Sequence, residues 1–379
     1  MKIKYNGLKT KKRDFDRPKP YFLMHKTRTD MLKDLEKDFE NLVIIGNGGS
    51  VTSFRALNYA FRDQNSKNVE IVTTMEPGYL KHLDHSLKTD ETLVMPISKS
   101  GNTTGVIEST LFFMDKGYEI MPLTSKEGLL HDIAEEKGLE MIKHPDIGGR
   151  YTGLSETALA PAALLGLDVE QLFEKGREAQ KSYWNEDQAI KMASALQNAE
   201  EQGYTEVMTA FYSTRLFGFY PLMVQLMHES VCKKGEGQTF YGDLGPEFQH
   251  HTNQRIFGGK QNVLPIFIES SHEHSEISIP EDLEDFNLRG RKLGDLNGKS
   301  LEKSLRAEAE GVKQALDQEN RPYIKIDIGS MNYGNVADFI AFLQFLAVYS
   351  GWMRGVNPFN QPDVEKSKEL GFEERFNGE

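Results

Sequence analysis

The sequence predicts an α/β protein built as two parallel-sheet layers in tandem, with helical segments before, between and after them. Two observations support this. Short apolar runs of strand length alternate with stretches of helical spacing in both halves of the chain. A strand covered on both faces by helices reads as such a continuous apolar run, whereas a half-exposed strand alternates. The 379 residues also suit two domains and an appendage at ~150 residues per domain.

The elements follow in order. Residues 1–37 form an arm and the start of a helix, predicted over 31–42 because Leu32, Leu35, Phe39 and Leu42 recur near the helical period. The first layer occupies 38–170. Its strands are 42–45, 69–72, 93–97 and 120–123, and its helices 51–61, 79–87, 106–114 and 129–136. A small-residue helix at 155–165 follows, with Pro161 as the one feature against an unbroken helix. Residues 171–202 form a polar helical connector. The second layer, 203–350, holds strands at 206–212, 262–269 and 321–328 and helices at 217–232, 301–316 and 336–348. Its segment 271–299, rich in charge, Gly, Pro and Ser, is expected on the surface. The tail, 351–379, ends in a charged helix at 363–372.

Composition narrows the function classes. The apolar stretches 158–167 and 339–348 fall short of the ~20 residues a spanning helix needs, so no membrane association is expected. The basic opening segment lacks an apolar stretch, which predicts no secretory signal and a cytoplasmic protein. The single cysteine, Cys232, excludes an internal disulfide and a cysteine-built zinc cage, and is expected to be a small buried apolar residue. A net charge of −12 argues against nucleic acid. An anion would need a local pocket built for it.

Two turns could be that pocket. Gly46-Asn47-Gly48-Gly49-Ser50 follows a strand and precedes a helix, where backbone N–H groups can approach a phosphate. A tight turn without a ligand would look the same, and the dinucleotide G-x-G-x-x-G pattern is absent because position 51 is Val. Ser98-Lys99-Ser100-Gly101-Asn102-Thr103 also lies between strand and helix. Its hydroxyls and ammonium suit an anion at a helix N-terminus, although an elaborate helix cap would use similar residues. Ligands of open α/β sheets bind at such strand ends. No Walker-type loop is present, which points to a phosphate on a small molecule.

Paired in this way, GNGGS and SKSGNT resemble the sugar isomerase (SIS) domain, a flavodoxin-like parallel-sheet sandwich that binds phosphosugars. Further segments are similar to signatures of the phosphoglucose isomerase family. Gly148-Gly149-Arg150-Tyr151-Thr152 resembles its G-G-R-[FY]-S. Gln225-Leu226-Met227-His228-Glu229-Ser230 resembles the segment around its catalytic base, and Gln249-His250-His251-Thr252-Asn253-Gln254 its Q-H-x-x-x-Q. Residues 357–368, NPFNQPDVEKSK, resemble its C-terminal N-P-F-[DN]-Q-x-G-V-E-x-x-K. The chain departs from the family at Gly105-Val106, Pro145 and Asp363, and in VCKKGEG after the Glu-Ser pair.

The resemblance implies glucose 6-phosphate and fructose 6-phosphate as substrates, interconverted through a cis-enediol. It implies phosphate and substrate binding by Gly49, Ser50, Ser98, Lys99, Ser100, Thr103, Gln225 and Gln361. In it Glu229 moves the proton between C2 and C1, Arg150 stabilises the enediolate, and His250 and Lys368 assist ring opening. The family places the matching Gln near the phosphate and the matching Lys near the ring oxygen. No cofactor and no metal are implied. A homodimer is, with the matching His donated by the second subunit. Two other readings stay open: a bifunctional phosphoglucose/phosphomannose isomerase, and a non-catalytic phosphosugar sensor.

The same residues can be weighed on chemistry alone. The carbon acid is weak, so isomerisation needs a positioned base and a stabilised oxyanion. Glu229 lies on an apolar helix, where partial burial is expected to raise its pKa, and Gln225 shares its face. Pairing with Lys233 at i+4 is the structural alternative. Arg150 offers a permanent cation, or a surface arginine in a Gly-rich turn. A His moves protons readily; the motif's spacing to Gln249 and Gln254 selects His250 over His251. No third ligand accompanies this pair, since only His228, His272 and His274 lie nearby. Gln361 and Lys368 fall on one helical face, which could equally be a solvated charged surface.

Overall fold

The apolar runs of the first half assemble because each strand is flanked by helices that cover it on both faces. In the computed structural model, which describes residues 1–12, 16–271 and 275–377, the chain opens with β1 (Lys2–Asn6) and α1 (Thr29–Lys33). The first layer then runs β2 (Asn41–Ile45), α2 (Thr52–Ala60), β3 (Asn68–Val72), α3 (Pro77–Ser86), β4 (Thr92–Ser98), α4 (Thr104–Asp115), β5 (Glu119–Ile120), β6 (Leu123–Thr124), α5 (Leu129–Glu136) and β7 (Ile142–Lys143). Its strands pair only in parallel, in the order β3-β2-β4-β6-β7 with β5 also on β4. Helices α6 (Glu156–Leu164), α7 (Val169–Asn185) and α8 (Gln188–Glu201) lead to the second layer.

There follow β8 (Glu206–Tyr212), α9 (Tyr220–Val231), β9 (Thr239–Leu244), α10 (Thr252–Gly258), β10 (Val263–Ser271), the short pair β11 (Asn287–Leu288) and β12 (Arg291–Lys292), α11 (Leu301–Gln318), β13 (Tyr323–Ser330), α12 (Tyr333–Met353) and α13 (Glu365–Glu374). The second sheet is ordered β1-β13-β10-β8-β9. It is parallel except at β1, which lies antiparallel on β13 with Lys4 opposite Lys325.

One large core joins the inner faces of both sheets to α2, α6, α8, α9 and α12. Smaller cores lie beneath α3 and α4 on the first sheet and beneath α10 and α11 on the second. This α/β architecture of two parallel-sheet units is the one the alternation predicts. Its shared helical core fixes α2 and α9, which carry much of the candidate site.

Several local expectations are corrected. The helix expected over 31–42 is only α1; Phe39 and Leu42 are buried, but Leu42 lies in β2, so strand burial imitated a helical period. The run 120–123 divides into β5 and β6, which pair with β4 at Leu93 and at Ile97, either side of Pro122. The arm contributes β1, whose alternating exposure is the signal of an edge strand. The apolar stretch near 339–348 extends to the 21-residue α12, long and apolar enough to cross a membrane. Its most apolar window is 83% buried within the protein, so it is the central helix of the core. Cys232 is exposed rather than buried.

Phe339 of α12 packs on Phe219, at the entry to α9, with ring centroids 4.9 Å apart. Phe339→Ala opens a cavity there and should lower the unfolding free energy by about 3–5 kcal/mol, measured by chemical denaturation.

Candidate functional site

The site is assembled where the first sheet changes direction. β3 and β4 lie on opposite sides of β2, and such a switch point leaves a crevice at the carboxyl ends of the strands. The GNGGS turn follows β2 and the SKSGNT turn follows β4, so the two predicted anion loops are neighbours. In the second loop, the buried Ser98 hydroxyl pairs with Thr103 Oγ1 at 3.0 Å. Asn102 N–H donates to Ser100 Oγ at 3.2 Å. Lys99 Nζ contacts Asp146 at 2.9 Å and holds that carboxyl below its usual range. Thr103 stands at the N-cap of α4. Gly105 leaves room for Met75: a Cβ there would lie 2.5 Å from the Met75 sulfur.

The first loop is locked to two other signature segments. A Cβ on Gly49 would fall 2.1 Å from the carbonyl carbon of Gly149, so GNGGS and GGRYT meet backbone to backbone. Gly48 has φ +53°, and a Cβ there would lie 2.8 Å from Gln225 Nε2. Thr152 Oγ1 also donates to Gly49 O at 3.3 Å. Ser50 is half-buried at this junction.

At the junction lies Arg150, only 3% exposed. Its Nε donates to Ser230 Oγ at 2.7 Å, Nη1 to Glu229 Oε2 at 3.0 Å and Gln361 Oε1 at 2.9 Å, and Nη2 to the carbonyls of Pro358 and Asn360 at 2.6 and 3.2 Å. A guanidinium has five N–H donors, and each has an acceptor. The Ser230 and Tyr151 hydroxyls are 2.9 Å apart, and Tyr151 donates to Pro358 O at 3.0 Å. One consistent proton arrangement runs from Arg150 to Ser230, to Tyr151 and on to the Pro358 carbonyl.

Glu229 lies near the end of α9 with both carboxylate oxygens engaged. Gln225 Nε2 donates to Oε1 at 3.0 Å, and Thr52 Oγ1 donates to Gln225 Oε1 at 3.1 Å. The apolar helix predicts a shielded carboxylate, yet Glu229 remains 31% exposed because it borders a pocket of about 140 Å³ lined by His228, Cys232, Lys233, Gln361, Asp363 and Val364. Lys233 does not take it as an i+4 partner; its Nζ donates to Ser230 O at 3.1 Å and Asn357 O at 2.5 Å. His228 Nε2 accepts from Phe240 N–H at 2.8 Å. That bond places any neutral proton on Nδ1, and burial lowers the imidazole pKa.

Thus Gln225, Glu229, Arg150 and Gln361 meet in one network, with the hydroxyl loops along the same sheet edge. Gln361 stands on Arg150 rather than in the SKSGNT loop. His250 and Lys368 are not tied to the network by any hydrogen bond or ion pair. His250 is exposed in the turn after β9, while His251 contacts Asp243 at 3.3 Å. Lys368 is 61% exposed on α13 and paired with Glu365. Among the described residues no group of three His, Cys, Asp or Glu is placed to hold a metal ion; His272 and His274 lie outside those residues. Sequence reasoning missed Thr52, Tyr151 and Ser230 as members of the network. Only the position of Tyr151 and Ser230 inside two signature segments hinted at them.

Ser230→Ala removes the acceptor of Arg150 Nε inside the protein. It should cost about 1.5–3 kcal/mol, the range for a hydrogen bond to a charged group, in chemical denaturation.

No family model matches the chain. It is 30% identical over 365 residues to the glucose-6-phosphate isomerase of Lactobacillus helveticus (strain DPC 4571), an alignment covering 89% of this chain and 80% of that protein. To the glucose-6-phosphate isomerase of Rubrobacter xylanophilus it is 28% identical over 357 residues, covering 88% and 82%. Its fold matches a hypothetical protein of Thermus thermophilus with TM-score 0.81 at 28% identity, over 90% of this chain and 84% of that one. It also matches a glucose-6-phosphate isomerase of Chlamydia trachomatis with TM-score 0.75 at 21% identity, over 91% and 71%.

Proposed function

This chain belongs to the glucose-6-phosphate isomerase family, and we propose that it interconverts glucose 6-phosphate and fructose 6-phosphate through a cis-enediol. The observation that supports this most is the pair Glu229 and Arg150, a carboxylate open to a pocket and a buried permanent cation, 3.0 Å apart. A proton shuttled between C2 and C1 needs such a base, and the enediolate it leaves needs such a charge.

In this reading the substrate phosphate rests on Gly49, Ser50, Ser98, Lys99, Ser100 and Thr103, aided by the N-terminus of α4. The sugar chain then runs toward α9. Glu229, oriented by Gln225, takes the C2 proton and returns it to C1. Arg150 cannot lose its own proton. Its Nη1 is the group free to turn to substrate, because both acceptors there are side chains that can give way to a substrate oxygen; Nε and Nη2 stay anchored by Ser230 and backbone carbonyls. No cofactor enters the scheme.

Ring opening is assigned to His250 and Lys368. Both are exposed in the protomer, where a second copy can reach them. From the family resemblance we propose a homodimer in which each copy completes its partner's site with His250. The reaction is placed in the cytoplasm.

An assay coupling glucose 6-phosphate formation from fructose 6-phosphate to a dehydrogenase tests the proposal. Wild-type protein should turn over, and Glu229→Gln should lower kcat by about 10²–10⁴-fold, the usual contribution of a positioned base, while still binding 6-phosphogluconate. Full turnover by the variant contradicts the base assignment. Binding without turnover by wild-type protein favours a sensor.

A further inference from the structure

We propose that Lys233 is a positioning residue for the isomerisation: its ammonium clasps segment 357–361 so that this segment can hold Arg150 at the site. The inference rests on the isomerase reading above. Lys233 is 8% exposed, just beyond the end of α9 and four residues after Glu229. Its Nζ joins the last turn of α9, at Ser230 O, to the segment, at Asn357 O. Pro358 O, Asn360 O and Gln361 Oε1 from the same stretch are acceptors of Arg150. One short stretch without helix or strand therefore gives four acceptors to two cations. The first of the four is set by Lys233, and the other three decide where the guanidinium sits.

The surroundings make this clasp sensitive to pH. Arg150, Glu229, Asp363 and Cys232 are the charged and titratable groups that act on Lys233. Burial, then repulsion from Arg150, lowers the ammonium from its usual value to about 8, against the opposing pull of Glu229 and Asp363. Below that pH Nζ makes charge-assisted bonds to both carbonyls. Above it the neutral amine keeps only weaker donors. Because the folded value is depressed, losing the proton does not itself destabilise the fold. The expected loss is in positioning, and so in kcat.

The test uses the full chain as wild type, Lys233→Met and Lys233→Arg. Turnover is followed in the coupled assay from about pH 6 to about pH 10, across the range where the ammonium titrates, and hydrogen exchange is measured over residues 355–365. Wild type should lose kcat as pH rises through about 8. Lys233→Met should lower kcat at neutral pH by about tenfold or more with a smaller change in KM, as loss of a charged hydrogen bond implies, and its segment should exchange faster. Lys233→Arg, which cannot deprotonate, should keep most of the neutral-pH kcat and move the alkaline limb upward. A folded Lys233→Met with wild-type kcat, pH profile and exchange overturns the proposal. If Lys233→Met does not fold, an alkaline limb unmoved in Lys233→Arg overturns it. If wild type does not turn over, the isomerase reading fails, while the exchange data still decide whether Lys233 clasps the segment.

Discussion

A guanidinium withdrawn from water carries a desolvation penalty of several kcal/mol unless its donors and charge are met. Arg150 meets it with acceptors from distant parts of the chain: Glu229 and Ser230 at the end of α9, and Pro358, Asn360 and Gln361 before α13. Arg150 itself belongs to the first layer, α9 to the second, and the remaining acceptors to the tail. Satisfying one buried cation therefore requires all three to be in place together. The aromatic rings around it reinforce this: Tyr151 stacks on Phe22, and both Tyr21 and Tyr151 pack against Phe359. The Tyr21 hydroxyl accepts from Gly148 N–H at 3.1 Å.

The chemistry follows from that assembly. Gly49 admits the GGRYT backbone, Gly48 admits the Gln225 amide, and Thr52 fixes that amide so that its N–H faces Glu229. The GNGGS turn, which the proposal places beside the phosphate, and the side chains proposed to move the proton are thus one mechanical unit. A displacement of either would be felt by the other, and small displacements of reacting groups are expensive in rate.

Much of this was readable in advance, for physical reasons. Strands such as 206–212 and 93–97 stood out because burial on both faces leaves an unbroken apolar run. The glycine turns stood out because the close approach at Gly49 tolerates no Cβ. Glu229, Arg150 and Gln361 were found through their signature segments, and the structure shows why those segments belong together. What stayed hidden depends on tertiary contact. β1 is five residues on a sheet edge, and β9 contains Gly242 and Asp243, which dilute its strand character. Helix α12 runs past the predicted 336–348 at both ends, and beyond residue 348 Tyr349, Ser350 and Gly351 are buried although their residue types do not mark an apolar run. That Lys233 would choose two carbonyls over Glu229 could not follow from spacing, because one of those carbonyls lies 124 residues away. The exposure of His250 and Lys368 belongs to the same class, since it depends on which elements pack against the turn after β9 and against α13.

The most direct measurement is a structure of the protein with a non-reactive acyclic six-carbon sugar acid phosphate bound. The phosphate should lie among Ser50, Ser98, Ser100 and Thr103, with the chain extended toward α9, the C1–C2 edge within hydrogen-bonding reach of the Glu229 carboxylate, and an Arg150 Nη1 contact transferred to a ligand oxygen. A ligand whose phosphate lies elsewhere, or whose C1–C2 edge is remote from Glu229 while Arg150 keeps all its present partners, would contradict it.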